Sequence, residues 1–318
     1  MHDRFFLRGG APPAPRTLSL ALQGGGSFGA FTWGVLDRLL EAEARFDMIS
    51  GASAGAVNAV ALADGLADGG AAMARQRLER LWRRVSDAAS LLRGPGLFHS
   101  LMAAVQPGGH NPLRDILDAE VNFARLRASA PVRLLIAATR ARDGSARLFR
   151  EHEVTRDVVL ASACLPMLHQ AVEIDGEAYW DGGFSANPPL RQLAAESEAE
   201  DIVLVQLLPE QDAEPVHSRH AAARRAARFA FTAPLRKELE GLEDLVAMSR
   251  QGWIGSARTR RLRRLRLHRL AAADAVPDLH RASTLDVSWP FLIGLRDAGR
   301  DAASAWLAGD AKGGVSLR

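Results

Sequence analysis

Three short runs of this chain combine residue types that do chemistry: Gly51-Ala52-Ser53-Ala54-Gly55, Gly24-Gly25-Gly26-Ser27-Phe28-Gly29 and Asp181-Gly182-Gly183. A serine hydroxyl is a weak nucleophile until a neighbouring base takes its proton and nearby donors hold the charge that develops on its target. Ser53 lies between a strand-like segment, Phe46–Ser50, and an alanine-rich helical one, with Gly51 and Gly55 two residues to either side. A turn that sharp strains the serine backbone, and flanking glycines remove the Cβ atoms that would clash. The hydroxyl then emerges at a helix N-terminus, where free N–H groups and the helix dipole favour negative charge. G-x-S-x-G is frequent by chance; its place between strand and helix gives it weight here, against the alternative of a small-residue turn packing a helix on a sheet.

Gly24, Gly25 and Gly26 also stand between a strand, Thr17–Leu22, and an amphipathic helix running from about Gly29 to Glu43. Glycines there allow several main-chain N–H groups to converge on an anion, which for a serine attacking an ester is the oxygen of the tetrahedral intermediate. The same loop fits G-x-G-x-x-G, so a dinucleotide site has to be weighed. That fingerprint wants an acidic residue at the end of the next strand, whereas Asp47 begins it and the serine turn occupies its end. In the third run, Asp181 ends an apolar arm, Glu177–Trp180, with Gly182 and Gly183 behind it. A carboxylate so placed can approach another loop closely and accept a proton from a serine, although Asp-Gly is equally an ordinary turn.

The elements that must position these residues alternate strand and helix with tight turns, the pattern of a parallel sheet covered by helices. Further strands are expected at Pro131–Thr139, at Ala146–Phe149 after an Asp143-Gly144 hairpin turn, at Glu177–Trp180 after a turn at Asp175-Gly176, and at Asp201–Leu208. The Ser53 helix is expected to reach about Ala67, and residues 70–130 to be mostly helical with breaks at Gly94-Pro95-Gly96 and Pro107-Gly108-Gly109. A further helix over Val154–Ala163 stops before Pro166. The apolar stretch Leu91–Val105 reads equally as a substrate wall and as a core helix pair. The expected architecture is a three-layer α/β/α fold with a central, mostly parallel sheet. Residues 1–16 form a loose tail, 17–210 the domain that carries all three runs, and 211–318 a mostly helical extension packed on it.

Composition bounds the rest. Apolar residues make up 47% of the chain and charged ones 24%, an ordinary globular balance. A single cysteine, Cys164, excludes an intrachain disulfide. The first residues lack an apolar stretch with a small-residue cleavage site, and the longest uncharged run, Met48–Ala63, is too short to span a bilayer. The expectation is therefore a cytoplasmic protein.

The order of strand, glycine loop, helix, G-A-S-A-G turn and downstream D-G-G resembles the patatin-like phospholipase family. Ala161-Ser162-Ala163-Cys164-Leu165-Pro166 resembles the segment that family places before its D-G-G, and Ser288–Leu292 with Leu295–Arg300 resembles the tail of a bacterial branch. The resemblance covers roughly residues 17–208. It implies a Ser–Asp dyad without metal or cofactor: Ser53 attacks a fatty-acyl ester, Asp181 takes its proton, Gly24–Gly26 hold the oxyanion, and water hydrolyses the acyl-enzyme. Where many members carry Arg or Lys in the glycine loop this chain has Ser27-Phe28, which leaves the oxyanion to main-chain donors.

Two further features qualify that expectation. His217, His220, His268 and His280 all follow Asp181, in the Ser…Asp…His order of a triad; only His268, within Arg264–Leu270, has even a suggestion of a strand-end setting. The run Arg258–Arg269 interleaves leucine with arginine, as an anionic membrane surface would require, and reads equally as a solvated face that turns into a strand near Leu265–Leu267. No aromatic platform accompanies it, which argues against nucleic acid. The expected function is hydrolysis of a lipid ester, with peripheral contact to anionic membrane; the rivals are a regulatory protein that keeps the fold without turnover and an esterase of a storage polyester.

Overall fold

The computed structural model describes residues 17–92, 111–210, 218–251 and 256–309. The N-terminal tail, most of Leu91–Val105 and His217 lie outside them. Eight strands form one sheet: β1 Thr17–Leu22, β2 Arg45–Gly51, β3 Arg133–Arg140, β4 Ala146–Arg150, β5 Val172–Ile174, β6 Glu177–Asp181, β7 Asp201–Gln206 and β8 Arg266–Ala271. The spatial order is β5-β6-β3-β2-β1-β7-β8, with β4 paired to β3 off that path. The pairs β1–β2, β1–β7, β2–β3 and β7–β8 are parallel, while β4, β5 and β6 are joined by antiparallel pairs. The region after residue 210 is thus not helical throughout: it supplies β8.

The pleat divides the core. Leu20, Leu22, Ile49, Leu134, Ile136, Val203 and Val205 point to one face, under α1 (Gly29–Glu41), α2 (Ala54–Leu92) and a C-terminal helix (Trp289–Leu307). Their alternates Ala21, Met48, Leu135, Ile202 and Leu204 point to the other, under Leu190 and Leu193 of a short helix (Leu190–Glu196) and Leu235, Leu242 and Val246 of a long one (Arg219–Gln251). Period-two alternation of apolar residues on both faces is what a sheet buried between two helical layers requires.

Between these lie α3 (Pro112–Glu120), α4 (Phe123–Ser129) and α5 (Arg156–Ser162); the short and long helices of the second face are α6 and α7. Beyond α7 follow α8 (Ala257–Leu262), α9 (Ala272–Ala275) and the C-terminal α10. The first segment of α2 ends close to Ala67, as expected, at a break over Gly69-Gly70, and α2 resumes to Leu92 because its second half has Ala74, Leu78, Leu81 and Trp82 to bury. Buried Asp64 accepts from Arg77, from Arg125 and from the Asn122 N–H at 3.1 Å, tying α2 to α4. The tail segment Leu295–Arg300 belongs to α10, where Arg300 bridges to Asp37 and Glu41 of α1.

Every parallel strand ends at the same edge, where Leu22 runs into the glycine loop and Gly51 into Ser53. The pairing of β3 brings a third segment there. Leu135 and Ile136 pair with both β2 and β4, so those two strands occupy opposite edges of β3. Ala138 and Thr139 pair with both β4 and β6, so β6 lies on the edge that β2 has just vacated. Asp181, opposite Ala138, therefore arrives two residues past the end of β2, where the chain turns into Ser53.

Candidate active site

Ser53 is buried, with φ of +53°, in the left-handed region that a β-carbon disfavours. Its neighbours hold it there. The Ser53 N–H donates to both the carbonyl and the Oγ of Ser162, at 3.1 and 3.0 Å, and the Gly55 N–H closes the turn on the Ala52 carbonyl at 2.8 Å. α2 begins at the next residue, Ala54, so its amino-terminal end faces the serine. A methyl at Gly55 would lie 2.1 Å from the Leu22 carbonyl, so only glycine lets α2 come this close to β1. Gly51 faces the same turn and is excluded from carrying a side chain by the Gly55 backbone.

Asp181 is fully buried. Its Oδ1 accepts from the Gly183 N–H at 2.8 Å, its own N–H donates to the Cys164 carbonyl at 2.8 Å, and its carbonyl accepts from Thr139 Oγ1 at 2.7 Å. Gly182 packs on the Ala137 carbonyl, and Gly183 against Phe231 and the Asp181 carboxylate. Oδ2 is left without a hydrogen-bond partner among the described residues. Burial pushes the Asp181 carboxyl up to about 7, against which the Ser53 hydroxyl and the Gly183 amide pull it down. The structure thus brings Ser53 and Asp181 together, with the hydroxyl near enough to stabilise the carboxylate yet short of a fully formed hydrogen bond, a looseness usual before substrate binds.

The glycine loop packs directly on the serine: a methyl at Gly24 would fall 2.7 Å from Ser53 Cβ and 2.9 Å from the Ala52 carbonyl. Gln23 Oε1 fixes the loop to the end of β7, accepting from the Leu207 and Leu208 N–H groups, and the Ser27 N–H donates to the Thr284 carbonyl at 2.8 Å. One part of the expectation changes. The Gly24 N–H donates to Asn187 Oδ1 at 2.7 Å, so this amide does not face an anion. The N–H groups of Gly25 and Gly26 have no acceptor among the described residues. Gly26 adopts φ of +56° and is exposed.

Two residues to which sequence reading gives no role of their own organise the site. Ser162 holds the serine turn, while Cys164, two residues on, holds Asp181; the Ala161–Pro166 segment therefore pins both candidates at once. Asn187 bonds Gly24 and also donates to the Phe231 carbonyl at 2.9 Å, joining the glycine loop to α7. Its only sequence signal is an Asn-Pro dipeptide six residues after Asp181. Burial, and next the nearby Asp181, pushes the Cys164 thiol up to about 11, so at neutral pH it is no nucleophile.

The rival readings lie elsewhere. His268 Nε2 bonds Asp201 Oδ1 at 2.8 Å and its ring packs edge-on against Trp306. Asp201 pairs with Leu18, four residues of β1, roughly 13 Å, short of the edge where Ser53 sits. His280 lies in the loop before α10, with its carbonyl bonded to Arg228, and His220 lies in the first turn of α7. Asp47 accepts from Arg133 and from the Glu198 N–H at the far end of β2, which removes it from any ribose at the glycine loop. Four arginines of the 258–269 run bind the protein itself: Arg261 donates to the carbonyls of Ala194 and Ala199, Arg263 to that of Ser249, and Arg266 and Arg269 to Asp201 and Asp274. A cleft of about 740 Å³ at that same far edge has a mixed lining that includes Arg133, Arg260, Arg264, Glu196, Ser197 and Glu200. Among the described residues no group of three or more His, Cys, Asp or Glu could hold a metal ion, and no helix is long and apolar enough to cross a membrane.

A buried serine on a strained strand-to-helix turn, beside a buried carboxyl at the carboxyl edge of a mostly parallel sheet, defines a nucleophile-elbow α/β protein. The sequence matches the family profile Patatin-like phospholipase over residues 20–194, more than half of its length, and the chain belongs to that family. Membership supports a lipid hydrolase. Over 205 residues the chain is 30% identical to the uncharacterized protein YjjU of Escherichia coli K12, a match covering 63% of this chain and 54% of that one, so it spans about half the length of this curated relative. Among solved structures it is similar to VipD from Legionella pneumophila (TM-score 0.43, 15% identity, 96% of this chain and 71% of that one). It is also similar to the type III effector protein ExoU (TM-score 0.37, 18% identity, 93% and 53%), whose complex with SpcU comes from Pseudomonas aeruginosa.

Proposed function

We propose that this chain hydrolyses carboxylic esters of lipids through a Ser53–Asp181 dyad. The observation that carries the reading is the buried Asp181 carboxyl, with one oxygen unpartnered, beside a serine held in the left-handed conformation at the start of α2. Asp181 takes the hydroxyl proton as Ser53 Oγ bonds to the ester carbonyl carbon. The carbonyl oxygen becomes an oxyanion held by the Gly25 and Gly26 amides, and Gly24 serves by close packing rather than as a donor. Collapse of this intermediate breaks the ester bond, and the leaving alcohol takes the proton back from Asp181. Water then attacks the acyl-serine, giving its proton to Asp181, and the second collapse returns that proton to Ser53 as the free acid leaves.

A base serves this cycle best when its pKa lies near the working pH, and burial brings Asp181 to about 7. An oxyanion donor contributes about 10²–10³ in rate, which two loop amides at a helix N-terminus can supply without a cation. Hydrolysis of a p-nitrophenyl acyl ester by wild type, Ser53→Ala and Asp181→Asn tests the reading. Loss of turnover in both variants, with folding retained, supports it; equal rates in all three contradict it.

A further inference from the structure

α7 passes the candidate site at Phe231, whose ring packs on Phe184 at 4.6 Å and whose carbonyl bonds Asn187, and it ends near Arg263, which reaches the Ser249 carbonyl. Its first turns, before Phe231, therefore project past the sheet edge that carries Ser53. Their composition is unusual for a helix in water. Between Val216 and Lys237 the chain has six cations (Arg219, Arg224, Arg225, Arg228, Arg236 and Lys237) and no acidic residue, whereas Glu238, Glu240, Glu243 and Asp244 follow at once. Arginines at a helix N-terminus oppose the helix dipole, so helix stability does not account for the pattern.

The exposure is unusual as well. Exposed in these turns, beside Arg219, are Ala222, Ala223, Ala226, Ala227, Phe229 and Ala230, with Arg236 and Lys237 further along the helix. Surface helices ordinarily turn such residues inward. Four large apolar side chains are exposed among the described residues, and three of them border the site: Phe229 (49%), Met167 (86%) and Leu285 (61%). Each belongs to a segment that holds the site. Met167 follows Cys164, which binds Asp181; Leu285 follows Thr284, which binds the glycine loop; Phe229 precedes Phe231.

Resting on the reading of Ser53 as a lipid-ester nucleophile, we propose that the alanine–phenylalanine face of the first turns of α7, with the exposed Arg219, Arg236 and Lys237 and with Met167 and Leu285, is the surface on which the protein seats itself on anionic lipid. Apolar side chains enter the acyl boundary while arginines meet the phosphates, which sets the mouth of the site against the bilayer. In the 258–269 run, Arg261, Arg263, Arg266 and Arg269 are engaged with the protein's own carbonyls and carboxylates at the far edge.

Co-sedimentation with vesicles of phosphatidylcholine, with and without phosphatidylglycerol, tests the surface, and turnover of a short soluble ester reads the site separately. Each cation near an anionic surface contributes about fivefold in partitioning. Arg219→Glu with Lys237→Glu is expected to lower binding to the anionic vesicles by at least about twentyfold, and Phe229→Glu by about tenfold. Both variants keep wild-type turnover of the soluble ester, and Arg264→Glu leaves binding unchanged. Binding indifferent to lipid charge or to Phe229→Glu overturns the proposal, as does stronger retention on duplex DNA than on the anionic vesicles. So does a dimer that Ala226→Glu dissociates without change in vesicle binding. A wild type that binds vesicles as described but turns over no ester contradicts the function and leaves the surface standing.

Discussion

Replacing Asp181 by asparagine keeps the shape of the side chain and an acceptor for the Gly183 amide while removing the charge. In the folded protein the carboxyl is pushed from 3.8 to about 7, chiefly by burial. The folded pKa is raised, so the contribution of the protonated group to stability is fully present below 3.8 and is lost as pH rises through about 7. The distance between the two values corresponds to about 4 kcal/mol. An asparagine has no such loss. Asp181→Asn is therefore expected to gain on wild type as pH rises: by about 2 kcal/mol at pH 5, and by about 4 kcal/mol at pH 9, where both folded and unfolded carboxyls are ionised. Its amide can also donate toward Ser53 from the place of the unpartnered Oδ2. Urea unfolding at the two pH values measures the gain, and ester turnover, falling about 10²–10⁴-fold, measures the loss of the base. Wild-type kcat/KM rises with pH through an apparent pKa near 7. A variant no more stable than wild type at pH 9, or a wild-type rise centred near 4, would refute the reasoning.

The other expectations concern backbone and packing. Ser53→Gly abolishes turnover and raises stability by about 1 kcal/mol in thermal or urea unfolding, because glycine accepts the positive φ without strain; a destabilised variant would contradict the strained turn. Gly24→Ala sets a methyl against Ser53 Cβ and the Ala52 carbonyl, costing about 1–3 kcal/mol and most of the turnover; a variant with unchanged kcat/KM would show that the loop does not pack on the serine as described. Asn187→Ala leaves the buried Gly24 amide and the Phe231 carbonyl unpaired, costing about 1–3 kcal/mol and lowering kcat more than tenfold. Asn187→Asp, which keeps the acceptor, recovers part of both in the same assays.

Ser53 was legible because the turn that carries it is local: a strand, a glycine turn and a helix in consecutive residues. Asp181 was legible only as a residue type in a turn. Its meeting with Ser53 depends on β6 entering the edge of β3 that β2 vacates, a relation between segments more than a hundred residues apart that no local pattern carries. The roles of Ser162, legible only as part of a family-like segment, and of Asn187 escaped for a similar reason: their partners Ser53 and Gly24 are distant in sequence. The same limit explains Gly24, whose amide is indistinguishable from those of Gly25 and Gly26 until Asn187 is seen to occupy it. The arginine run at 258–269 shows the same limit. Its charge is visible in the sequence, but the carbonyls of Ala194, Ala199 and Ser249 that accept from it are placed only by the fold. The break at Gly69-Gly70 was signalled by its residues, and the helix resumes beyond it because Leu78, Leu81 and Trp82 still need cover.

The central claim is that Ser53 is a nucleophile activated by Asp181. A fluorophosphonate probe, which bonds covalently only to an activated serine, followed by mass spectrometry of the digested protein, tests it most directly. The expected result is one adduct, on Ser53, formed rapidly by wild type, slowly by Asp181→Asn and not at all by Ser53→Ala. No adduct on the folded protein, or an adduct at another residue that survives Ser53→Ala, would contradict it.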